Sequence, residues 1–226
     1  MSIYAVGDIH GCFTALVRIF NSLEIGKDDK AIFLGDYIDR GHNSKEVIEW
    51  MLEKSTNPNF IFLKGNHELM MLEARTNFAR FSIWQWNGGH KVLDNYGIGD
   101  ETDWVNKIPE AHWKFIESTK KYYTVGNFIF VHAALVPGVP LEQQHDDIVY
   151  WKHAEVPEMY SQNKIVVCGH TSRKNGQIAN FGHTICVDTW ACGGQWLTCL
   201  DVTTGNFLQA NQKGELKKGK IEIGLD

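Results

Sequence analysis

Acidic, amide and imidazole side chains follow short apolar runs at several points in this sequence. They are Asp8, His10, Asp36, Asp39, Asn66, His67, His132 and His170. Carboxylate and amide oxygens mixed with imidazole nitrogens suit Mn, Fe or Zn, whereas Ca prefers oxygens alone and structural zinc prefers thiolates. Two such ions about 3.5–4 Å apart activate a water and hold the oxygens of an in-line displacement. The residue types therefore predict hydrolysis of phosphoesters.

The spacing of these residues along the chain does not determine which of them bind which ion. Asp36 can bridge two sites, one completed by Asp8 and His10, the other by Asn66, His132 and His170. Asn66 also has a simpler interpretation, because Asn is a preferred helix N-cap. The repetition of polar strand exits along the chain favours the metal site over the cap.

Three strand–loop–helix units must position the first six of these residues. The strands are predicted at 3–6, 31–34 and 60–63. The first helix carries apolar residues at helical spacing and is predicted to end at Gly26, the second starts near Ser44, and the third runs from Leu69. Successive units of this kind predict parallel strands with right-handed crossovers. The polar loops should then converge at the carboxyl edge of the sheet.

After the third unit, the sequence pattern changes first to an aromatic-rich helical section and then to a series of strands. Aromatic residues before and after Asn87-Gly88-Gly89 predict a helical layer that borders the site, and their size favours core positions. They are Phe81, Trp84, Trp86, Trp104, Trp113 and Phe115. Further strands are predicted at 122–125, 128–131, 165–167, 185–187, 196–200 and 207–209, with an antiparallel finish.

Composition narrows the class of protein. The 226 residues, 43% hydrophobic and 22% charged, predict a single soluble domain over 1–226. A net charge of −5 argues against nucleic acid as a partner. Five cysteines without a Cys-x-x-Cys pair predict reduced thiols, and no basic leader precedes the first strand. We therefore expect a cytoplasmic monomer that does not bind membranes.

Three motifs carry a clear family resemblance. Gly7-Asp8-Ile9-His10-Gly11, the segment 35–41 and Gly65-Asn66-His67-Glu68 resemble the signatures of the phosphoprotein phosphatase family of calcineurin-like metallophosphoesterases. His132 and Gly169-His170 are similar to its two later metal histidines, and the likeness is greatest to compact bacterial and phage serine/threonine protein phosphatases. The resemblance implies an α/β fold with a central β-sandwich flanked by helices, in four αββα layers.

The resemblance also implies roles for individual residues. Asp8, His10 and Asp36 would hold one metal, and Asp36, Asn66, His132 and His170 the second, with a bridging hydroxide attacking phosphorus. Mn is the first expectation for both ions, with Fe and Zn as alternatives. Arg40 would bind phosphate, His67 would protonate the leaving group, and Asp39 would orient His67.

Two departures from the family pattern bear on the substrate. A second phosphate-binding arginine is usual after a Trp before the last metal strand, but Lys152 and His153 follow Trp151 here. Lys152 or His153 could substitute as the donor, and His153 is the residue assigned to the substrate, although neither offers the planar fork of arginine. His42 replaces the usual proline after Asp39-Arg40-Gly41 and is assigned to the surface.

Three functions follow from these observations. The first, which the resemblance implies, is a serine/threonine protein phosphatase that acts on phosphorylated protein, peptide or a small phosphoester. The second is symmetrical hydrolysis of diadenosine tetraphosphate to ADP, because segment 192–200 resembles the carboxyl-terminal part of such hydrolases. Against it, those enzymes resemble a longer chain with an insertion between the two later metal histidines, and they lack counterparts of Asp39 and Glu68. The third is a non-catalytic phosphate-binding scaffold, for which the altered arginine position is the support.

Overall fold

A computed structural model describes residues 1–99 and 102–224. Its strands are β1 (Ile3–Val6), β2 (Lys30–Phe33), β3 (Phe60–Phe62), β4 (Tyr122–Val125), β5 (Phe128–Val131), β6 (Ile165–Cys168), β7 (Ala179–Asn180), β8 (Thr184–Cys186), β9 (Leu197–Asp201), β10 (Asn206–Ala210) and β11 (Leu216–Lys220). Its α-helices are α1 (Phe13–Phe20), α2 (Ser44–Lys54), α3 (Asn66–Ala74), α4 (Phe78–Trp84), α5 (His90–Tyr96), α6 (Trp104–Lys107), α7 (Glu110–Ser118) and α8 (Asp146–Trp151).

The strands form two sheets. The first has the order β11-β10-β9-β1-β2-β3, and the second has the order β4-β5-β6-β8-β7. β1, β2 and β3 are parallel, with Ala5 opposite Ile32 and Ile32 opposite Ile61, as the strand–loop–helix pattern predicts. β5, β6 and β8 are also parallel, so the polar residues that follow β1, β2, β3, β5 and β6 lie at the carboxyl edges of the two sheets.

Apolar side chains between the sheets form a β-sandwich. Ala5, Ile32 and Leu34 from the first sheet pack in one buried cluster with Phe130 and Val167 from the second. Two further clusters cover the outer faces: the larger joins the first sheet to helices α1 to α7, and the smaller joins the second sheet to α8. This arrangement confirms the predicted mixed α/β sandwich flanked by helices.

Local differences from the predictions have local causes. The first helix ends at Phe20 rather than Gly26. The third helix begins at Asn66 with Gly65 as its N-cap, so Asn66 is not the cap residue. Trp86 was expected in the core but is 91% exposed, because it lies on a turn of π-helix, Gln85–Gly89, that is broken at Gly88. His112 is buried, and its Nδ1 is 2.6 Å from the Tyr96 hydroxyl.

Two further features bear on the composition arguments. All five cysteines carry free thiols, and four of them are buried. Among the helices of residues 1–99 and 102–224, none combines the length and apolar character that crossing a bilayer requires.

Candidate metal centre

The strand exits that converge at the carboxyl edges have strained backbones. Six non-glycine residues in the described ranges have positive φ, and five of them are predicted site residues. The five are His10 (44°), Asp36 (53°), Asp39 (71°), Arg40 (64°) and His170 (61°). Left-handed conformations cost about 1–3 kcal/mol each and persist where the surrounding structure enforces them, commonly at functional sites. The strain is thus concentrated on the residues that the sequence analysis singled out.

Backbone carbonyls orient three of the predicted histidines. His10 Nδ1–H donates to Ile38 O at 2.8 Å, and His132 Nδ1–H donates to Leu34 O at 2.8 Å. His170 uses its other ring nitrogen, since Nε2–H donates to Trp151 O at 3.1 Å. A carbonyl can only accept, so in a neutral ring each bond leaves the opposite nitrogen with a lone pair that can accept a hydrogen bond or bind a metal. Metal-binding histidines have this same outer partner.

The opposite ring nitrogens point toward Asp36 and Asn66. His10 Nε2 is 3.4 Å from Asp36 Oδ2, whereas His132 Nε2 is 3.4 Å from Asp36 Oδ1. Asn66 Oδ1 lies 2.9 Å from His132 Nε2 and 3.0 Å from His170 Nδ1. Asp36 therefore presents one oxygen to each side of the group, as a bridging ligand would. Several lone pairs that face each other at such distances fit a cation between them.

Electrostatics favour the protonation states that bind metals. Burial, and then the neighbouring His67, lower the pKa of His10. Burial and His132 lower the pKa of His170 to about 3. Burial opposes ionisation of Asp36, but the facing histidines, His132 first, hold its pKa below the usual value. The neutral rings of His10 and His170 beside an ionised carboxylate form a donor set that suits a divalent transition metal.

Among the described residues, two sets of three side chains each bring their ligand atoms within 4.8 Å of one another. The first set is His10, Asp36 and His67, and the second is Asp36, His132 and His170. Asp8, predicted for the first site, is buried close by and accepts from the backbone N–H of His170 with both oxygens, at 3.1 and 3.2 Å. Burial, and then Asp188 and Asp36, raise the pKa of Asp8. A cation beside these carboxylates would offset that repulsion.

His67 and Asp39 form a buried hydrogen-bonded pair. His67 Nδ1–H donates to Asp39 Oδ2 at 2.6 Å. Burial opposes protonation of the ring, but the Asp36 carboxylate and the bond to Asp39 raise the pKa of His67 above its usual value. The pair therefore favours the protonated form of His67.

Arg40 lies at the open side of this group. Its side chain is exposed, Nη1 donates to His10 Nε2 at 2.9 Å, and its backbone N–H donates to Gly88 O at 3.3 Å. His153 is also exposed, and its ring centroid is 4.5 Å from that of His170. Lys152 is exposed beside it. Positive and imidazole groups thus face solvent on two sides of the buried ligands.

Glu68 has a structural role that its place in the third motif did not reveal. Its Oε2 accepts from the backbone N–H groups of Asp36 (2.8 Å) and Gly65 (2.9 Å), and its Oε1 accepts from that of Tyr37 (2.8 Å). Burial, and then Asp36, raise the pKa of Glu68 to about 7. The carboxylate therefore ties the second and third motifs together.

We expect Glu68→Gln to destabilise the fold by about 2 kcal/mol, because an amide has one acceptor oxygen and leaves a buried N–H unpaired. Urea unfolding above the pKa of Glu68 measures this change. Glu73→Gln on the exposed face of the same helix is the matched control. Equal midpoints for the two variants would contradict a tying role for Glu68.

The sequence did not identify two further residues near the site, Asp188 and Trp84. Asp188 follows β8 and accepts from Ser172 Oγ (2.6 Å) and from the backbone N–H of Trp190 (3.0 Å). Its position directly after a strand is the same signal that identified the other carboxylates. Trp84 donates its indole N–H to Asp39, at 2.9 and 3.1 Å from the two carboxylate oxygens. No sequence signal distinguished Trp84 from a core aromatic.

Comparisons with known proteins agree with this geometry. The chain matches the calcineurin-like phosphoesterase family over residues 1–193. It is 28% identical over 144 residues to a symmetrical bis(5'-nucleosyl)-tetraphosphatase of Nitrosospira multiformis, covering 63% of this chain and 47% of that protein. It is 40% identical over 90 residues to serine/threonine-protein phosphatase 2 of Salmonella typhimurium, covering 39% of this chain and 38% of that protein.

A solved structure of similar fold is a cold-active protein-tyrosine phosphatase of a psychrophilic Shewanella species, with a TM-score of 0.63 and 15% identity. The alignment covers 96% of this chain and 80% of that one. The chain spans less than half the length of the tetraphosphatases and bacterial serine/threonine phosphatases that it matches. The family match covers most of the sequence, and both the sandwich and the three motifs accord with it. The chain belongs to the calcineurin-like phosphoesterase family.

Proposed function

We propose that this chain is a metal-dependent phosphatase that hydrolyses phosphoserine or phosphothreonine in proteins. The observation that carries the proposal is the buried His67–Asp39 pair beside the ligand group, with its 2.6 Å hydrogen bond. A serine or threonine alkoxide is a strong base and leaves readily only if it is protonated, so a positioned acid contributes about 10²–10⁴-fold. A nucleotide leaving group is far less basic and needs no such acid.

The ligand group would hold two divalent ions. Asp8, His10 and Asp36 would bind one ion, and Asp36, Asn66, His132 and His170 the other. The opposed oxygens of Asp36, each 3.4 Å from a different histidine, support a bridging role. Such ions supply an activated water and stabilise charge on the phosphate oxygens. Mn fits this mixed oxygen and nitrogen donor set first, with Fe or Zn as alternatives.

The remaining residues would handle the phosphate and the proton. Arg40 is exposed at the mouth of the site, and its guanidinium can bind two phosphate oxygens at once. His67 would give its Nε2 proton to the leaving oxygen, while Asp39 keeps Nδ1 protonated. His153 would contact the phosphate or its neighbouring residues from the side of His170.

Metal-depleted protein, reconstituted separately with Mn, Fe or Zn, tests the proposal. Phosphoserine and phosphothreonine peptides, p-nitrophenyl phosphate and diadenosine tetraphosphate are the substrates, and chromatography identifies the products. We expect phosphate from the peptides and little ADP from the dinucleotide. Abundant ADP with no phosphate from peptides would overturn the proposal. Tight phosphate binding without turnover in every arm would indicate a scaffold.

Symmetrical dinucleotide hydrolysis is the second candidate. The similarity to the tetraphosphatase of Nitrosospira multiformis favours it. A further observation is Trp86, whose side chain is 91% exposed two residues before Gly88, the residue that accepts the Arg40 backbone N–H. An exposed indole on the turn that contacts the Arg40 backbone offers a stacking surface for adenine.

Trp86→Ala separates the two candidates. If adenine stacks on this ring, the KM for diadenosine tetraphosphate should rise about tenfold, since stacking of a base on an aromatic ring contributes about 1–3 kcal/mol. The KM for p-nitrophenyl phosphate should not change. Phe78→Ala, which removes another exposed aromatic ring from the same helical region, is the control. An unchanged dinucleotide KM would remove Trp86 as support for the second candidate.

His153→Arg tests the missing arginine. We expect a several-fold lower KM for a phosphoserine peptide, because a guanidinium offers a bidentate contact that imidazole lacks. Steady-state kinetics with Lys152→Arg as the neighbouring control measures the effect. No change in KM would argue that another group already fills the place.

A further inference from the structure

The segment from Trp84 to Gly89 contacts two residues of the proposed catalytic group. Trp84 ends α4, and the broken π-helical turn Gln85–Gly89 follows it directly. The segment reaches Asp39 through a side chain and Arg40 through the backbone. Turns of π-helix inside longer helices often occur at functional sites. A role for Trp84 in this segment rests on the proposed phosphatase function.

Trp84 contributes a hydrogen-bond donor to a fully buried carboxylate. Its indole N–H lies 2.9 Å from Oδ1 and 3.1 Å from Oδ2 of Asp39. Both residues have zero exposed surface. The indole N–H can only donate, so it favours the ionised carboxylate over the protonated acid. Without the indole N–H, the buried Asp39 carboxylate would keep only His67 as a side-chain hydrogen-bond partner, and burying a charge with fewer partners is costly.

Packing holds the indole in place. The ring of Trp84 lies 4.9 Å from that of Trp104 and 6.1 Å from that of Phe81. On the other side, a Cβ atom at Gly89 would come within 2.5 Å of the Trp84 ring. Residue 89 must therefore be glycine for the indole to reach Asp39.

Gly88 makes the backbone contact with Arg40. It has φ 113°, and a Cβ atom there would lie 2.8 Å from the backbone nitrogen of Arg40. Its carbonyl accepts the Arg40 N–H at 3.3 Å, which helps to hold Arg40 at its positive φ of 64°. The two glycines and Trp84 therefore form one unit that abuts the residues on both sides of the 39–40 peptide bond.

We propose that Trp84 is a positioning residue: its indole N–H holds the Asp39 carboxylate toward His67, so that His67 presents its proton to the leaving group. Trp84 touches neither substrate nor metal in this role. The bond to Asp39 orients the carboxylate, and the carboxylate orients the imidazole. Gly88 and Gly89 allow the approach that makes these contacts.

Trp84→Phe removes the donor and keeps an aromatic ring. With a phosphoserine peptide we expect kcat to fall about tenfold, a part of the 10²–10⁴-fold that a general acid contributes. With p-nitrophenyl phosphate, whose phenolate leaves without a proton, we expect less than about a threefold change. Trp104→Phe removes similar volume from the same aromatic cluster and should show no difference between the two substrates. Equal losses on both substrates in Trp84→Phe would overturn the proposal.

A second test, by NMR, requires neither turnover nor a folded Trp84→Phe variant. In Asp39→Asn, the Trp84 indole N–H proton resonance should move upfield in NMR spectra of metal-free protein, because an amide oxygen is a weaker acceptor than a carboxylate. The Trp113 indole, which donates to Val105 O, is the internal reference. An unchanged Trp84 resonance would refute the contact. Absence of phosphatase activity in the wild type would refute the proposed function instead, and the resonance would then decide the inference.

Discussion

Asp36→Asn is expected to lose most phosphate release together with at least one bound metal ion. The two oxygens of Asp36 face His10 and His132 on opposite sides, so its replacement weakens both groups at once. An amide keeps the shape but supplies one neutral oxygen in place of a charged bridge. Loss of an outer partner of a metal ligand typically costs about 10–100-fold, and loss of a bridging ligand should cost more.

Metal content by mass spectrometry and turnover of p-nitrophenyl phosphate, measured on the same reconstituted sample, check this prediction. Asp94→Asn, which removes an exposed carboxylate from α5, is the control for net charge. Circular dichroism shows whether the variant folds. Two ions bound with wild-type turnover in Asp36→Asn would be incompatible with a bridging role.

His67→Asn is expected to keep both metals and to lower kcat by about 100-fold or more on phosphoserine peptides, the usual cost of removing a general acid. The loss should be smaller for p-nitrophenyl phosphate. The geometry leaves a specific alternative, because His67 lies with His10 and Asp36 in one group of close ligand atoms. Its Nδ1 is occupied by Asp39, and its Nε2 is 4.0 Å from Asp36 Oδ2.

Metal content decides between the two roles. Retention of both ions with slow turnover would support the acid, and loss of an ion would assign His67 to the metal instead. His42→Asn, on the exposed part of the neighbouring loop, is the matched control and should behave as wild type. Unchanged turnover in His67→Asn would remove His67 from the mechanism.

Local patterns predicted most of the elements that carry the site. Short apolar runs end in polar residues at β1, β2, β3, β5 and β6, and each of these strands lies within about one residue of its predicted position. Helix ends were less certain, since the apolar spacing of the first helix continues past Phe20, where the helix stops. Trp86 shows a similar failure, because size favours burial whereas a break at Gly88 exposes the ring.

Residue types and their order along the chain were sufficient to predict a phosphoester site with mixed oxygen and nitrogen ligands at converging strand exits. The tertiary structure alone decided which atoms face one another. His132 is oriented by a carbonyl 98 residues away, Trp84 meets Asp39 across 45 residues, and Glu68 joins the backbone of Asp36 across 32. Each of these contacts depends on the packing of two sheets and a helical layer, and the residues involved carry no periodic or compositional signal that links them. The sequence therefore predicts which side chains supply the chemistry, whereas the fold determines which partner orients each of them.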